Sequence, residues 1–130
     1  MSKYRKPAQF LYALAAVLTI WLINPLMAGS GDPEAARQAW PMIQSGALLV
    51  DVRSEAEFAE GHLDGAINIE WDKTDALIAA IGDDKQRQVV FYCRSGNRVG
   101  KSIAVLEPMG YTHIFNATGL EALQATKPEN

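Results

Sequence analysis

Two nearly continuous apolar runs organise the chain, "ALLVDVR" at residues 47–53 and "QVVFYC" at residues 88–93. Their β-branched and aromatic residues predict strands, and the lack of apolar–polar alternation predicts strands covered on both faces. Between and around them the apolar spacing changes. "DKTDALIAAIGDD" carries Leu77, Ile78 and Ile81 on one helical face and closes at Gly82. "NRVGKSIAVLEPMG" carries Val99, Ile103 and Leu106 in the same way, and "YTHIFNA" reads as a further strand.

Punctuation sharpens these elements. Asp32 followed by Pro33 is an N-cap and first-turn pair, so "PEAARQAW" is helical, with a break or restart expected at Pro41 and an end at Gly46. Ser54 and Glu57 have capping-box spacing and predict one or two helical turns to Gly61, then a loop and a short strand around 67–69. The tail "QATKPEN" is expected to fray. Strands alternating with helices predict an α/β fold: a small, mostly parallel sheet with helices on both faces.

The first 28 residues follow another pattern. Lys3, Arg5 and Lys6 precede the 14-residue apolar run "FLYALAAVLTIWLI", which Asn24-Pro25 and "LMAGSG" close. Charged start, apolar centre and small-residue exit have the order of a secretory signal peptide, here residues 1–28. Cleavage is expected after Ala28, with Ser30 as the second position. An uncleaved membrane anchor is the alternative, although 14 residues fall short of the roughly 20 that cross a bilayer. The leader predicts a periplasmic or otherwise exported protein. Its removal takes three cations and no acid, so the net charge moves from −3 to −6. An acidic domain argues against nucleic-acid partners, and its size allows an independent core, so a monomer is expected.

One cysteine, Cys93, occurs in the whole chain, so no internal disulfide staples the exported domain. The stretch "VVFYCRSGNRVGKS" offers two chemistries. Its right end approaches a nucleotide phosphate loop, but only three residues separate Gly96 from Gly100 where four are required. The shorter ring makes too small a hole for a β-phosphate, and Lys101 and Ser102 then read as the first exposed turns of a helix. Its left end delivers Cys93 to the carboxyl edge of a sheet, where open α/β folds place their sites. A tight turn through Gly96 aims peptide N–H groups inward with a helix N-terminus behind them, and Arg94 and Arg98 add full charges. Each term stabilises negative charge on the sulfur, giving an activated nucleophile in an anion cradle.

Taken together, "CRSGNR" before a helix, "LLVDVRSEAEFAEGHLDGAINI" upstream and "MGYTHIFNATGLEAL" downstream resemble the single-domain rhodanese (thiosulfate sulfurtransferase) family, in its exported phage shock protein E type. The resemblance spans roughly residues 45 to 125. It implies a rhodanese-like domain over 32–127 and sulfane-sulfur transfer through a Cys93 persulfide, from thiosulfate or a similar small-molecule donor to cyanide or a thiol. Arg94, Ser95, Gly96, Asn97 and Arg98 would hold the sulfur and the anionic donor, with no metal and no cofactor. A persulfide carrier or a redox-sensing thiol domain without significant turnover is the alternative. Related cysteine phosphatases separate cysteine from arginine by five residues; here four separate Cys93 from Arg98, a ring suited to one sulfur atom.

Two positions depart from the family. Val99 stands where relatives often carry a small or hydroxylated residue, and Thr118 where the first glycine of a pair is usual. Asp51 and Arg53 are expected to brace loops beside the site rather than touch substrate, and His62 likewise. Trp40, Trp71, Phe91 and Tyr92 are expected in the core or its rim, and His113 carries no functional signal.

Overall fold

A computed structural model describes residues 31–130. The expected leader, residues 1–28, lies outside the described residues. Helix α1 spans Pro33–Gln44, and the Asp32 carboxylate caps it by accepting from the Glu34 N–H at 2.9 Å. The break expected at Pro41 does not occur. Pro41 and Arg37, one turn earlier, are exposed, so the backbone bond that proline forfeits lies on the solvent side. Ala36, Ala39 and Trp40 meanwhile hold the opposite face in the core, and packing carries the helix across.

The remaining elements are β1 (Leu48–Asp51), α2 (Glu55–Glu60), β2 (Ile67–Asn68), α3 (Thr74–Ile81), β3 (Val89–Cys93), α4 (Asn97–Leu106), a short 3-10 turn, β4 (Ile114–Gly119) and α5 (Leu120–Ala125). The sheet order is β2-β1-β3-β4 and every pairing is parallel. Parallel strands put all their carboxyl ends on one edge, so Asp51, Cys93 and Gly119 leave the sheet on the same side.

Alternate side chains of the central strands feed two cores. Leu49, Val90, Tyr92 and Ala117 pack with α1 and α5 through Trp40, Ala122 and Leu123. Val50, Phe91 and Cys93 pack with α3 and α4 through Leu77, Ile81, Val99 and Leu106. Burial on both faces is why β1 and β3 read as unbroken apolar runs. Each large side chain so buried contributes about 1.5–3 kcal/mol.

Three further expectations are revised. Ser102 is 2% exposed, because its hydroxyl donates to the Trp71 carbonyl at 2.9 Å and seats α4 on the segment leading to α3. Lys101 is exposed as expected, with its ammonium 4.8 Å from the Trp71 ring centroid. Strand β4 starts at Ile114 rather than Tyr111. The Tyr111 ring is buried in the α3/α4 core and its hydroxyl donates to the Gly82 carbonyl, which draws that residue away from the sheet. The tail is also firmer than expected: α5 continues to Ala125, and the Trp40 indole N–H donates to the Leu123 carbonyl and the Thr126 hydroxyl.

Candidate active site: a buried thiol in a clasped loop

Strand β3 ends at Cys93, 1% exposed, and the chain turns through residues 94–96 into α4. The turn closes on the sulfur: the Gly96 N–H donates to Cys93 Sγ at 3.0 Å. Gly96 has φ 96°, the left-handed conformation that favours glycine. A Cβ here would also lie 3.2 Å from Asn116 Oδ1 and from Thr118 Cα and Cβ, so two separate constraints require glycine. Arg94, Ser95 and Asn97 are exposed around this buried pivot, and Arg98 is half-buried.

The loop is held from β4. The Asn116 amide donates to the Gly96 carbonyl at 3.0 Å, and its oxygen accepts from the Thr118 N–H at 2.9 Å. Between Phe91 paired with Asn116 and Cys93 paired with Gly119, β4 carries one residue more than β3. Thr118 takes up this bulge at φ 70°, the one non-glycine residue with positive φ among the described residues. That backbone explains the glycine expected here. Thr118 uses its hydroxyl to offset the strain, accepting from the Asp32 N–H at 2.8 Å and donating to the Ala117 carbonyl at 2.7 Å.

The two arginines of the loop are deployed differently. Arg98 meets Glu57 end-on with both arms, Nη1 to Oε1 at 2.7 Å and Nη2 to Oε2 at 3.0 Å. Glu57 is aimed by the capping box of α2: the Ser54 hydroxyl accepts from the Glu57 N–H, and Glu57 Oε1 accepts from the Ser54 N–H and hydroxyl. The Arg98 hydrogen bonds, with Ser54 assisting, hold the Glu57 carboxyl well below its ordinary range, at about 2. The same bond to Glu57 raises Arg98, with a smaller contribution from the Cys93 sulfur. Arg94 makes no ion pair among the described residues. It borders a cavity of about 170 Å³ beside the thiol loop, with Arg53, Glu57, Glu60, Leu120 and Glu121.

Asp51 and Arg53 brace the neighbouring wall. Arg53 Nη2 lies 2.7 Å from Asp51 Oδ2, the Arg53 backbone N–H donates to Asp51 Oδ1 at 2.9 Å, and Nη2 reaches the Gly61 carbonyl at 2.7 Å. Asn68 ties the carbonyls of both residues to β2. Tyr92 accepts from the Leu63 N–H, and burial raises its phenol above the ordinary range, so it stays a neutral spacer. His62 stacks on Phe58 and contacts the Phe58 carbonyl at 2.8 Å, in keeping with a bracing role. A larger cavity, about 600 Å³, opens on the α1/α5 face between Trp40, Leu49, His62, Leu63 and Lys127, and the loop residues 93–98 do not line it.

Residues 35–125 match the rhodanese-like domain family. The chain belongs to that family. Among curated proteins, 78 residues are 37% identical to the thiosulfate sulfurtransferase PspE of Escherichia coli strain K12, covering 60% of this chain and 75% of that protein. A sulfurtransferase of Allochromatium vinosum is 38% identical over 72 residues, 55% of this chain and 65% of its own length, slightly under two thirds. Among solved structures, the rhodanese with anions from E. coli superposes with a TM-score of 0.54 at 36% identity, over 59% of this chain and 91% of that one.

Sequence reasoning located Cys93 and its loop but missed two residues that shape them. Glu57 was legible as a helix cap and as part of the upstream family pattern, but neither gave a sign that it meets Arg98 across 41 positions. Asn116 had a signal: it is a lone amide in an apolar strand, the mark of a side chain bonded to a neighbouring backbone.

Proposed function

We propose that the chain is a rhodanese-type sulfurtransferase in which Cys93 carries sulfane sulfur as a persulfide. The observation that carries this reading is the Cys93 sulfur itself, buried at the carboxyl edge of the sheet and taking an amide hydrogen bond across a four-residue turn. In the first half-reaction the thiolate attacks the outer sulfur of thiosulfate or a similar donor. A new S–S bond forms while the donor's S–S bond breaks, and sulfite leaves with the electron pair. In the second, cyanide or a thiolate attacks the outer sulfur of the persulfide, and the Cys93 thiolate is the leaving group. No metal or organic cofactor enters this scheme.

The chain's own groups have distinct tasks in this reading. The Gly96 N–H, with the α4 N-terminus behind it, stabilises charge on the sulfur both as attacking thiolate and as leaving group. Arg94, Ser95 and Asn97 meet the oxygens of an anionic donor, where a planar guanidinium suits a tetrahedral oxyanion. Arg98, occupied by Glu57, fixes the end of the loop and adds positive charge beside the sulfur. Asp51 and Arg53 support the wall. We further propose that the domain acts as an exported, periplasmic monomer behind a signal peptide, a reading supported by the order of charged, apolar and small residues in 1–28.

The test is an intact mass after incubation with thiosulfate and removal of the excess. A gain of one sulfur, about 32 Da, lost on adding cyanide and absent in Cys93→Ser, is the expected result for a sulfur-carrying nucleophile. No gain in the folded protein would overturn the proposal.

A further inference from the structure

The small cavity beside the thiol loop has a charge pattern that the sulfur chemistry alone does not require. Five charged residues border it: Arg53, Arg94, Glu57, Glu60 and Glu121. The Arg53 charge is met by Asp51 at 2.7 Å and the Glu57 charge by Arg98 at 2.7 Å. Among the described residues no ion pair engages Arg94, Glu60 or Glu121, and all three are exposed. The cavity therefore presents one free cation, on the residue next to Cys93, and two free carboxylates beside the thiol loop. Glu60 ends α2 and Glu121 lies in the first turn of α5, so the carboxylates come from separate elements, and Leu120 beside Glu121 adds apolar surface.

We infer that Glu60 and Glu121 set the charge preference of this mouth, and that the sulfur acceptor it suits is a thiol carrying a cationic group, an aminothiol, rather than an anionic thiol. The acceptor part rests on the sulfur-transfer reading above. A dianion such as thiosulfate gains from Arg94 and the loop amides but meets two carboxylates on its way. An ammonium group next to a thiol meets both carboxylates favourably while the thiol sulfur is presented to the persulfide. Unit charges about 8 Å apart near a solvated surface change an encounter rate by roughly two- to threefold each, and salt screens the effect over a Debye length of about 8–10 Å.

The experiment has two arms on the full chain at low ionic strength. In the first, Cys93 is modified by three methanethiosulfonate reagents, one bearing a trimethylammonium group, one neutral and one bearing a sulfonate, and each rate is divided by that of the neutral reagent. The cationic reagent is expected to lead the anionic one, and the double variant Glu60→Gln with Glu121→Gln to lower their ratio about tenfold, as does 0.5 M salt. A ratio unmoved by the double variant, or led by the sulfonate, overturns the inference. In the second arm persulfidated protein is discharged by cysteamine, 2-mercaptoethanol or 3-mercaptopropionate, each rate corrected for its thiolate fraction, and the same order is expected. Equal corrected rates overturn the acceptor assignment. A protein that orders the reagents by charge yet accepts no sulfur overturns the sulfur-transfer reading and the acceptor with it, while the charge preference of the mouth stands.

Discussion

Asp51–Arg53 and Glu57–Arg98 are chemically the same pair, a carboxylate and a guanidinium closed to 2.7 Å, yet their settings differ. The first is sealed in the wall, its side chains 0% and 9% exposed; the second sits half in solvent at 30% and 27%. In the sealed pair no buried side-chain polar atom lacks a partner, with Gly61 and the Arg53 backbone as further partners. It acts as masonry. The half-open pair joins two short segments, α2 and the thiol loop, and holds the last residue of the ring around Cys93. Distance alone does not assign a salt bridge its role; burial and the segments it ties together do.

The comparison can be broken most forcefully at Asp51. Asp51→Asn leaves the Arg53 charge buried without a counter-ion, and removing one partner of such a pair costs about 3–5 kcal/mol. Urea unfolding should show a loss of that order, with any loss of activity following the loss of fold; a variant as stable as the parent would refute the masonry role. At the half-open pair the effect moves from stability to chemistry. Glu57→Gln keeps an oxygen for the Ser54 cap but frees Arg98, and persulfide formation should slow by about tenfold, equivalent to about 1.4 kcal/mol of barrier, while unfolding changes by less. Stopped-flow loading with thiosulfate separates the two quantities.

Acid gives a third, smaller handle. Glu57 is held at about 2 against an ordinary 4.5, so its native state favours the ionised form. The stability this contributes is fully present above about 4.5 and is lost as pH falls from there through 2. Solvent screening at a partly exposed pair limits it to about 1–2 kcal/mol. Unfolding free energies measured between pH 5 and 2 should therefore fall less steeply in Glu57→Gln than in the parent, and parallel curves would show that the pair is not coupled to folding. The smallest expected change is in Ser54→Ala, which removes the hydroxyl that caps α2 and steadies Glu57 and should cost about 1 kcal/mol in thermal or urea unfolding.

Much of this architecture was legible in the residues themselves. The unbroken apolar character of β1 and β3 announced a sheet buried on both sides, and Ser54, Gly61 and Gly82 marked helix limits that the fold keeps. Pro41 misled because a local rule about one hydrogen bond competes with the burial of Ala36, Ala39 and Trp40 on the far side of the same helix. Ser102 misled because a hydroxyl reads as surface until a specific carbonyl, that of Trp71, is brought to it. At the site, the short-range features were readable: a strand ending in cysteine, a glycine at the turn, a helix start. The long-range ones were not: the Glu57–Arg98 pair leaves no trace in local spacing, and the lone amide of Asn116 announces a bond to backbone without naming Gly96 as its partner.

The Asn116 clasp also bears on how this loop could change over evolutionary time. Gly96 is fixed against β4 on two sides, by the hydrogen bond from Asn116 to its carbonyl and by the close approach of Thr118 where a side chain would begin. Inserting one residue between Cys93 and Arg98, the step toward a phosphate-sized ring, would displace Gly96 from that seat and draw Arg98 off Glu57. A single insertion thus yields a loosened sulfur loop before it yields a phosphate loop. A change of ring size therefore needs coordinated changes in β4 and α2, the two elements that hold the loop at Gly96 and Arg98.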